Sequence, residues 1–185
     1  MDERESRLVE LVLQGDSDAF GPLVTPYRKA LLTMAYRLCH NWEDAGELSQ
    51  ETLLRAFRYL RSYDPRRSFR NWIFQILVNV WRSSGKSRPD GDALREWAAA
   101  HPAEGPEEEH ARSEIRSQLM ECLDGLSRRE REVFLLRDIE EMSILETAQA
   151  LGISPLSVRV RLSLARKKIR ERAKEKFPHL LEDRR

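Results

Sequence analysis

Residues able to touch a nucleic acid gather in two places along this 185-residue chain. The first is SFRNWIFQILVNVWRSSGKSR, residues 68–88. Advanced by about 100° per residue, Asn71, Gln75, Asn79 and Arg82 fall in one polar ladder. Apolar residues line both of its sides. Phe69, Ile73, Ile76, Leu77 and Val80 make a stripe wide enough to face a core, and Phe74, Val78 and Trp81 lie on the far side. Amides and a guanidinium beside open rings suit unstacked bases, since any base stacks on an aromatic and amides read base edges. On that reading Trp72 is packing and Trp81 is the ring left open. The competing reading is a helix buried on both sides inside a bundle. The second place follows Ser154 and Pro155, where Arg159, Arg161, Arg166, Lys167, Lys168, Arg170 and Arg172 crowd one segment. Such cations pair phosphates and offer Arg to guanine edges; the competing reading is a solvated basic helix.

Other chemistry is poorly supplied. Neither clustered carboxylates, a Gly-rich phosphate loop nor a nucleophile–histidine pair is present, so no enzyme activity is expected. Cys39 and Cys122 lie far apart, and the four histidines are scattered. Neither a disulfide framework nor a metal site is indicated, and no cofactor is expected. His40 beside Cys39 reads as a helix residue. There is no signal peptide and no apolar run near membrane-spanning length, so a cytoplasmic protein without membrane insertion is expected.

The elements that must position these residues are helical. Period-3.6 patterns cover 5–13, 17–39, 43–60, 69–84, 112–125, 128–138, 143–151 and 155–176, with almost no strand-like alternation. Stops fall at Asp16, at Asp64-Pro65 and at Gly152. The fold class is all-α, in two small helical domains, residues 1–88 and 112–185, joined by an acidic flexible linker over 89–111. Charge follows that division: net +3 over 1–88, −6 over 89–114 and +4 over 115–185. Within the linker Trp97, in LREWAAA, is expected in a short helical turn. Residues 143–163 read as a helix-turn-helix, whose second helix lies in the major groove. Ala148 is small where the helices cross, Leu151, Ile153, Val158 and Leu162 form the wedge, and Ser154 and Pro155 suit the N-cap and first turn.

GDSDAFGPLVTPYRKALLTMAYRL, WEDAGELSQETLLRAFRYL and SYDPRRSFRNWIFQILVNVWR together resemble domain 2 of extracytoplasmic-function sigma factors. GLSRREREVFLLRDIEEMSILETAQALGISPLSVRVRLSLARKKIRE resembles their domain 4. The resemblance covers about three quarters of the chain, and DAGELSQET is its most specific segment. It implies a transcription initiation factor whose partners are core RNA polymerase and promoter DNA, with an anti-sigma factor as a further possible partner. The helix holding DAGELSQETLLRAF would carry the polymerase-binding surface. Helical geometry turns Ala45, Leu48, Thr52, Ala56, Tyr59 and Leu60 inward, leaving Asp44, Glu47, Gln50, Glu51 and Leu54 outside. Gly46 and Ser49 stand where the family usually has an acid and an aliphatic residue, so the surface is expected to be kept but weaker.

Single-stranded −10 DNA would be held by Arg55, Tyr63 and Asn79, with Arg66, Arg67, Arg70, Asn71 and Gln75 as neighbours. The loop RSYDPRRS, residues 61–68, matches the one that captures a flipped base, whose unstacking costs a few kcal/mol. Duplex −35 DNA would meet Ser154, Pro155, Ser157, Arg159, Val160, Arg161, Ser163, Arg166 and Lys167. Val160, Ser163 and Leu164 stand where the family often has Ser, an aromatic or His, and Arg, so the −35 sequence is not inferred. A linker of 27 residues, 86–112, spans roughly 90 Å when extended, enough for the roughly 70 Å of two duplex turns. Two alternatives remain: a helix-turn-helix regulator that never binds core polymerase, and a DNA-processing enzyme with a helix-turn-helix targeting domain.

Overall fold

The computed structural model describes residues 3–85, 118 and 120–178. The chain divides into two compact units, Met1–Ala93 and Leu94–Arg185. The expected turn at Trp97, the linker and half of the expected helix over 112–125 (residues 112–117 and 119) lie outside the described residues. Every regular element among the described residues is a helix or a helical turn.

Unit 1 holds α1 (Glu3–Leu13), α2 (Phe20–Cys39), α3 (Trp42–Arg58) and α4 (Phe69–Ser83). Asp16 caps a short 3-10 turn, Ser17–Ala19, that leads into α2. Left-handed His40 (φ 59°) closes α2, and the next residue, Asn41, caps α3 by accepting from the Asp44 N–H at 2.9 Å. α2 packs against α1, α3 and α4, and α4 also packs against α3. Leu23, Leu31, Met34, Leu38, Leu48 and Leu77 fill the space between them. Tyr36 stacks on Trp42 at 4.2 Å between centroids, tying the end of α2 to the start of α3.

The reading of α4 with open rings is corrected here. Phe74 and Val78 are fully buried and Trp81 is 5 % exposed, so the competing reading of a helix buried on both sides holds. The reason is that α4 lies against two helices at once, which covers both apolar stripes. Trp72 packs, as expected, against Tyr63 and Phe69 at 5.2 and 5.5 Å. Tyr59 is a second correction. It is 59 % exposed rather than inward, because α3 ends at Arg58 and Tyr59 leaves helical geometry (φ −102°, ψ 12°).

Unit 2 contains α5 (Arg128–Phe134) running into a π-helical turn (Leu135–Ile139), then α6 (Ile144–Leu151) and α7 (Pro155–Lys176). Ser127 and Ser143 each complete a capping box, with Glu130 and Glu146 returning the bond. Gly152 closes α6 at φ 64°, a left-handed conformation in which a side chain is strained. Ser154 then caps α7 and Pro155 opens it, as the sequence predicts. Ala148, Leu151, Val158 and Leu162 are buried between α6 and α7, while Ile153 is half-buried. A Cβ on Gly125 would stand 2.8 Å from the Arg172 guanidinium, so the Arg172 side chain lies over the turn preceding α5 where that turn carries no side chain.

Candidate nucleic-acid and polymerase interfaces

On α3, Asp44, Glu47, Gln50, Glu51 and Leu54 all reach the surface, as helical spacing predicts. Glu51 is not a bare carboxylate: Arg55 Nε donates to it at 2.6 Å, one turn on. Two residues assigned to different surfaces by sequence thus form one pair. The same side of α3 carries a feature that periodicity did not single out. Phe57 is about as exposed as Leu54, with its ring edge-on to Phe20 at 5.1 Å, and Tyr59 follows it. The three-residue spacing of Phe57 from Leu54 was the available signal.

The loop between α3 and α4 is built around Tyr63 and Asp64. Tyr63 is 6 % exposed, packs edge-on against Phe69 at 5.4 Å, and donates its hydroxyl to the Arg67 carbonyl at 2.6 Å. Burial first, then the nearby Glu5 and Asp64 carboxylates, push its phenol up to about 12. Asp64 accepts from the Arg66 N–H at 3.0 Å and from the Arg66 guanidinium at 3.0 Å, with Arg67 at 3.9 Å. Hydrogen bonds from Arg66 hold the Asp64 carboxyl below its ordinary value. The cations nevertheless stay available, with the Arg66 side chain 90 % exposed. Ser68 caps α4 by accepting from the Asn71 N–H. Asn71 and Gln75 are half-buried, Asn79 is exposed, and Arg70 lies over the Phe74 ring at 5.2 Å. Arg55, Arg66, Arg67, Arg70, Asn71, Gln75 and Asn79 therefore present polar atoms, whereas the Tyr63 ring is held inside the loop.

On α7 the cations separate into two groups. Arg159, Lys167 and Arg170 are exposed and Arg161 is half-buried, with Lys167 loosely paired to Glu171 at 3.9 Å. Arg166 instead makes a two-pronged bond to Asp138, Nε at 2.7 Å and one terminal nitrogen at 2.6 Å. Lys168 holds Glu130 at 2.8 and 2.9 Å, and Lys176 holds Glu121 at 2.9 Å. Burial opposes ionisation of Glu130, but Lys168 and Ser127 outweigh it and keep that carboxyl below its ordinary value. These three cations strap α7 to the segments before it. Sequence placed Arg166 among the DNA contacts, and no local pattern reveals a partner 28 residues away. At the helix start, Ser154 Oγ and Ser157 Oγ lie 2.9 Å apart, and Ser154 accepts from the Ser157 N–H. Val160 and Ser163 are exposed, and Pro155 is half-buried.

Among the described residues no group of three or more His, Cys, Asp or Glu could hold a metal ion. Nor is any described helix long and apolar enough to cross a membrane.

A helix-turn-helix unit with a cationic second helix, and a helical unit with an acidic face and an amide-lined surface, define a DNA-binding protein with a second binding function. The family described as "Sigma-70 region 2" matches residues 23–88, and "Sigma-70, region 4" matches residues 116–169. The chain is 32 % identical over 172 residues to RNA polymerase sigma factor NccH of Alcaligenes xylosoxydans xylosoxydans, covering 89 % of this chain and 92 % of that protein. It is 29 % identical over 178 residues to the RNA polymerase sigma-H factor of Pseudomonas aeruginosa, covering 90 % and 92 % respectively. CnrH, in its solved complex with the cytosolic domain of CnrY, matches with a TM-score of 0.71 at 28 % identity, over 94 % of this chain and 99 % of that one. The chain belongs to the extracytoplasmic-function sigma factors of the sigma-70 family. It is a transcription initiation factor that binds core RNA polymerase and directs it to promoters.

Proposed function

We propose that this sigma factor divides its work among three surfaces. The outer face of α3, with Asp44, Glu47, Gln50, Glu51 and Leu54, docks on core polymerase, and Phe57 extends it. Carboxylates around two exposed apolar side chains suit a partner rich in Arg, whose stem packs while its head pairs. The −10 strand lies along Asn71, Gln75 and Asn79, with Arg66, Arg67 and Arg70 at its phosphates. Tyr63 acts from beneath, by holding the 61–68 loop in shape. The −35 duplex meets the start of α7 through Ser157, Arg159, Val160, Arg161 and Ser163, with Lys167 on a phosphate, whereas Arg166 braces the helix. The protein is not an enzyme in this reading, and works in the cytoplasm beside the polymerase. A regulatory partner belongs to the same proposal, since its relative CnrH was solved in complex with the cytosolic domain of CnrY.

The observation that carries the −10 assignment is the capped α4 with its amide ladder on the surface and every ring except Trp72 turned in. Asn79→Ala and Gln75→Ala therefore reduce permanganate reactivity of −10 thymines while leaving closed-duplex binding nearly intact. Equal loss of both signals assigns these amides to duplex DNA and removes the proposal.

A further inference from the structure

The outward side of α7 is not polar where the helix begins. Leu156, Val160 and Leu164 are 67, 51 and 45 % exposed. Set four residues apart, they form one row over the first three turns. Nothing in this row can donate or accept a hydrogen bond. Behind it lie Val158, Leu162 and Ala165, which already face α6 and α5, so the row is surplus to the unit's core. Further along the same side come Lys167, Arg170 and Lys174, all exposed. The row therefore stands between the capped N-terminus and a cationic stretch, where a recognition helix presents side chains to base edges.

A major groove shows donors and acceptors to every polar side chain, and its main apolar feature is the thymine 5-methyl group. We propose that Leu156, Val160 and Leu164 read thymine methyl groups in the −35 duplex, making T·A steps a determinant of promoter choice for this factor. The inference rests on the assignment of α7 to the −35 element. Successive members of the row are about 6 Å apart along the helix, close to the roughly 7 Å of two base steps. Favoured thymines accordingly recur at a spacing of about two base pairs. Guanine readout is left to Arg159, beside the row. A guanine under an aliphatic side chain keeps no partner for its N7 and O6, so the row also rejects G·C.

The test uses holoenzyme assembled from the full chain and core polymerase, selecting from duplexes randomised over the −35 window. One library is synthesised with thymine and one with uracil, so the sequences agree and only the methyl groups differ. Each buried methyl is worth about 0.8 kcal/mol, so enrichment at each thymine-preferring position falls about three- to fourfold in the uracil library. Positions enriched in guanine are unchanged. Val160→Ser, at an exposed site that leaves the fold intact, abolishes the thymine–uracil difference at one position only. Identical motifs from both libraries overturn the inference and leave the row for a protein partner. No motif in either library overturns the −35 assignment itself, and the inference with it.

Discussion

Arg166 offers a sharp test, because sequence places it on DNA and the structure places it on Asp138. Its bond is two-pronged at 2.6 and 2.7 Å, with the Arg side chain 52 % and the Asp side chain 19 % exposed. Solvent screening at that exposure limits the coupling to about 1 kcal/mol. For a domain of this size that moves the unfolding midpoint of unit 2 by about 4–8 °C. Arg166→Ala and Asp138→Ala should each lower it, and the double substitution should cost less than the sum of the two. DNA binding separates the roles. A cation on a phosphate contributes about 0.9 to the slope of log K against log salt, or about 3.5-fold in affinity over a fourfold change in salt. Braced to Asp138, Arg166 contributes none, so Arg166→Ala keeps the wild-type slope. Asp138→Ala frees the guanidinium and steepens the slope by up to about 0.9. The assay is duplex −35 binding at four or more salt concentrations, beside thermal unfolding of the same proteins. A slope lowered by about one in Arg166→Ala, with no change in stability, would show that the pair opens on DNA and refute the bracing role.

Reversing charge at Glu47 and Glu51 weakens association with core polymerase in a direct titration while the chain stays folded, since an exposed charge and the surface Glu51–Arg55 pair each contribute little to stability. Tyr63→Phe removes the hydroxyl bond to the Arg67 carbonyl, about 1 kcal/mol, whereas Tyr63→Ala opens a cavity costing about 3–5 kcal/mol, both read by urea unfolding. The Tyr63 phenol is raised in the fold to about 12, so its contribution is complete below the ordinary value of 10.0 and is lost as pH climbs from there; Tyr63→Phe flattens that alkaline decline. Glu130 is lowered in the fold, so its contribution holds above the ordinary 4.5 and fades as pH drops below it; Glu130→Gln flattens the acid arm of unit 2 stability.

What sequence disclosed was local. Gly152, Ser154 and Pro155 act within a few residues of themselves, so the helix-turn-helix could be read directly. The acidic side of α3 was equally legible, because it needs only the helical angle. Failures arose where the outcome depends on what lies opposite. Periodicity shows that α4 has two apolar stripes but not that α2 and α3 cover both, so the choice between a doubly buried helix and one with Trp81 open could not be made from it. It also runs past a helix end without notice, hence Tyr59. The Arg166–Asp138 and Lys168–Glu130 straps join residues 28 and 38 positions apart, and no local pattern announces them. Familial likeness supplied the rest, since an amide ladder and a basic helix define DNA contact without defining a promoter.

Initiation itself tests the central claim most directly. Core RNA polymerase, with and without the full chain, is offered a library of promoters carrying varied −10 and −35 elements, and transcripts are sequenced from their 5′ ends. The account predicts discrete start sites that appear only with the chain, downstream of a shared pair of elements, and that are lost when either element is scrambled. Tight duplex binding by the chain with no chain-dependent start site would contradict it.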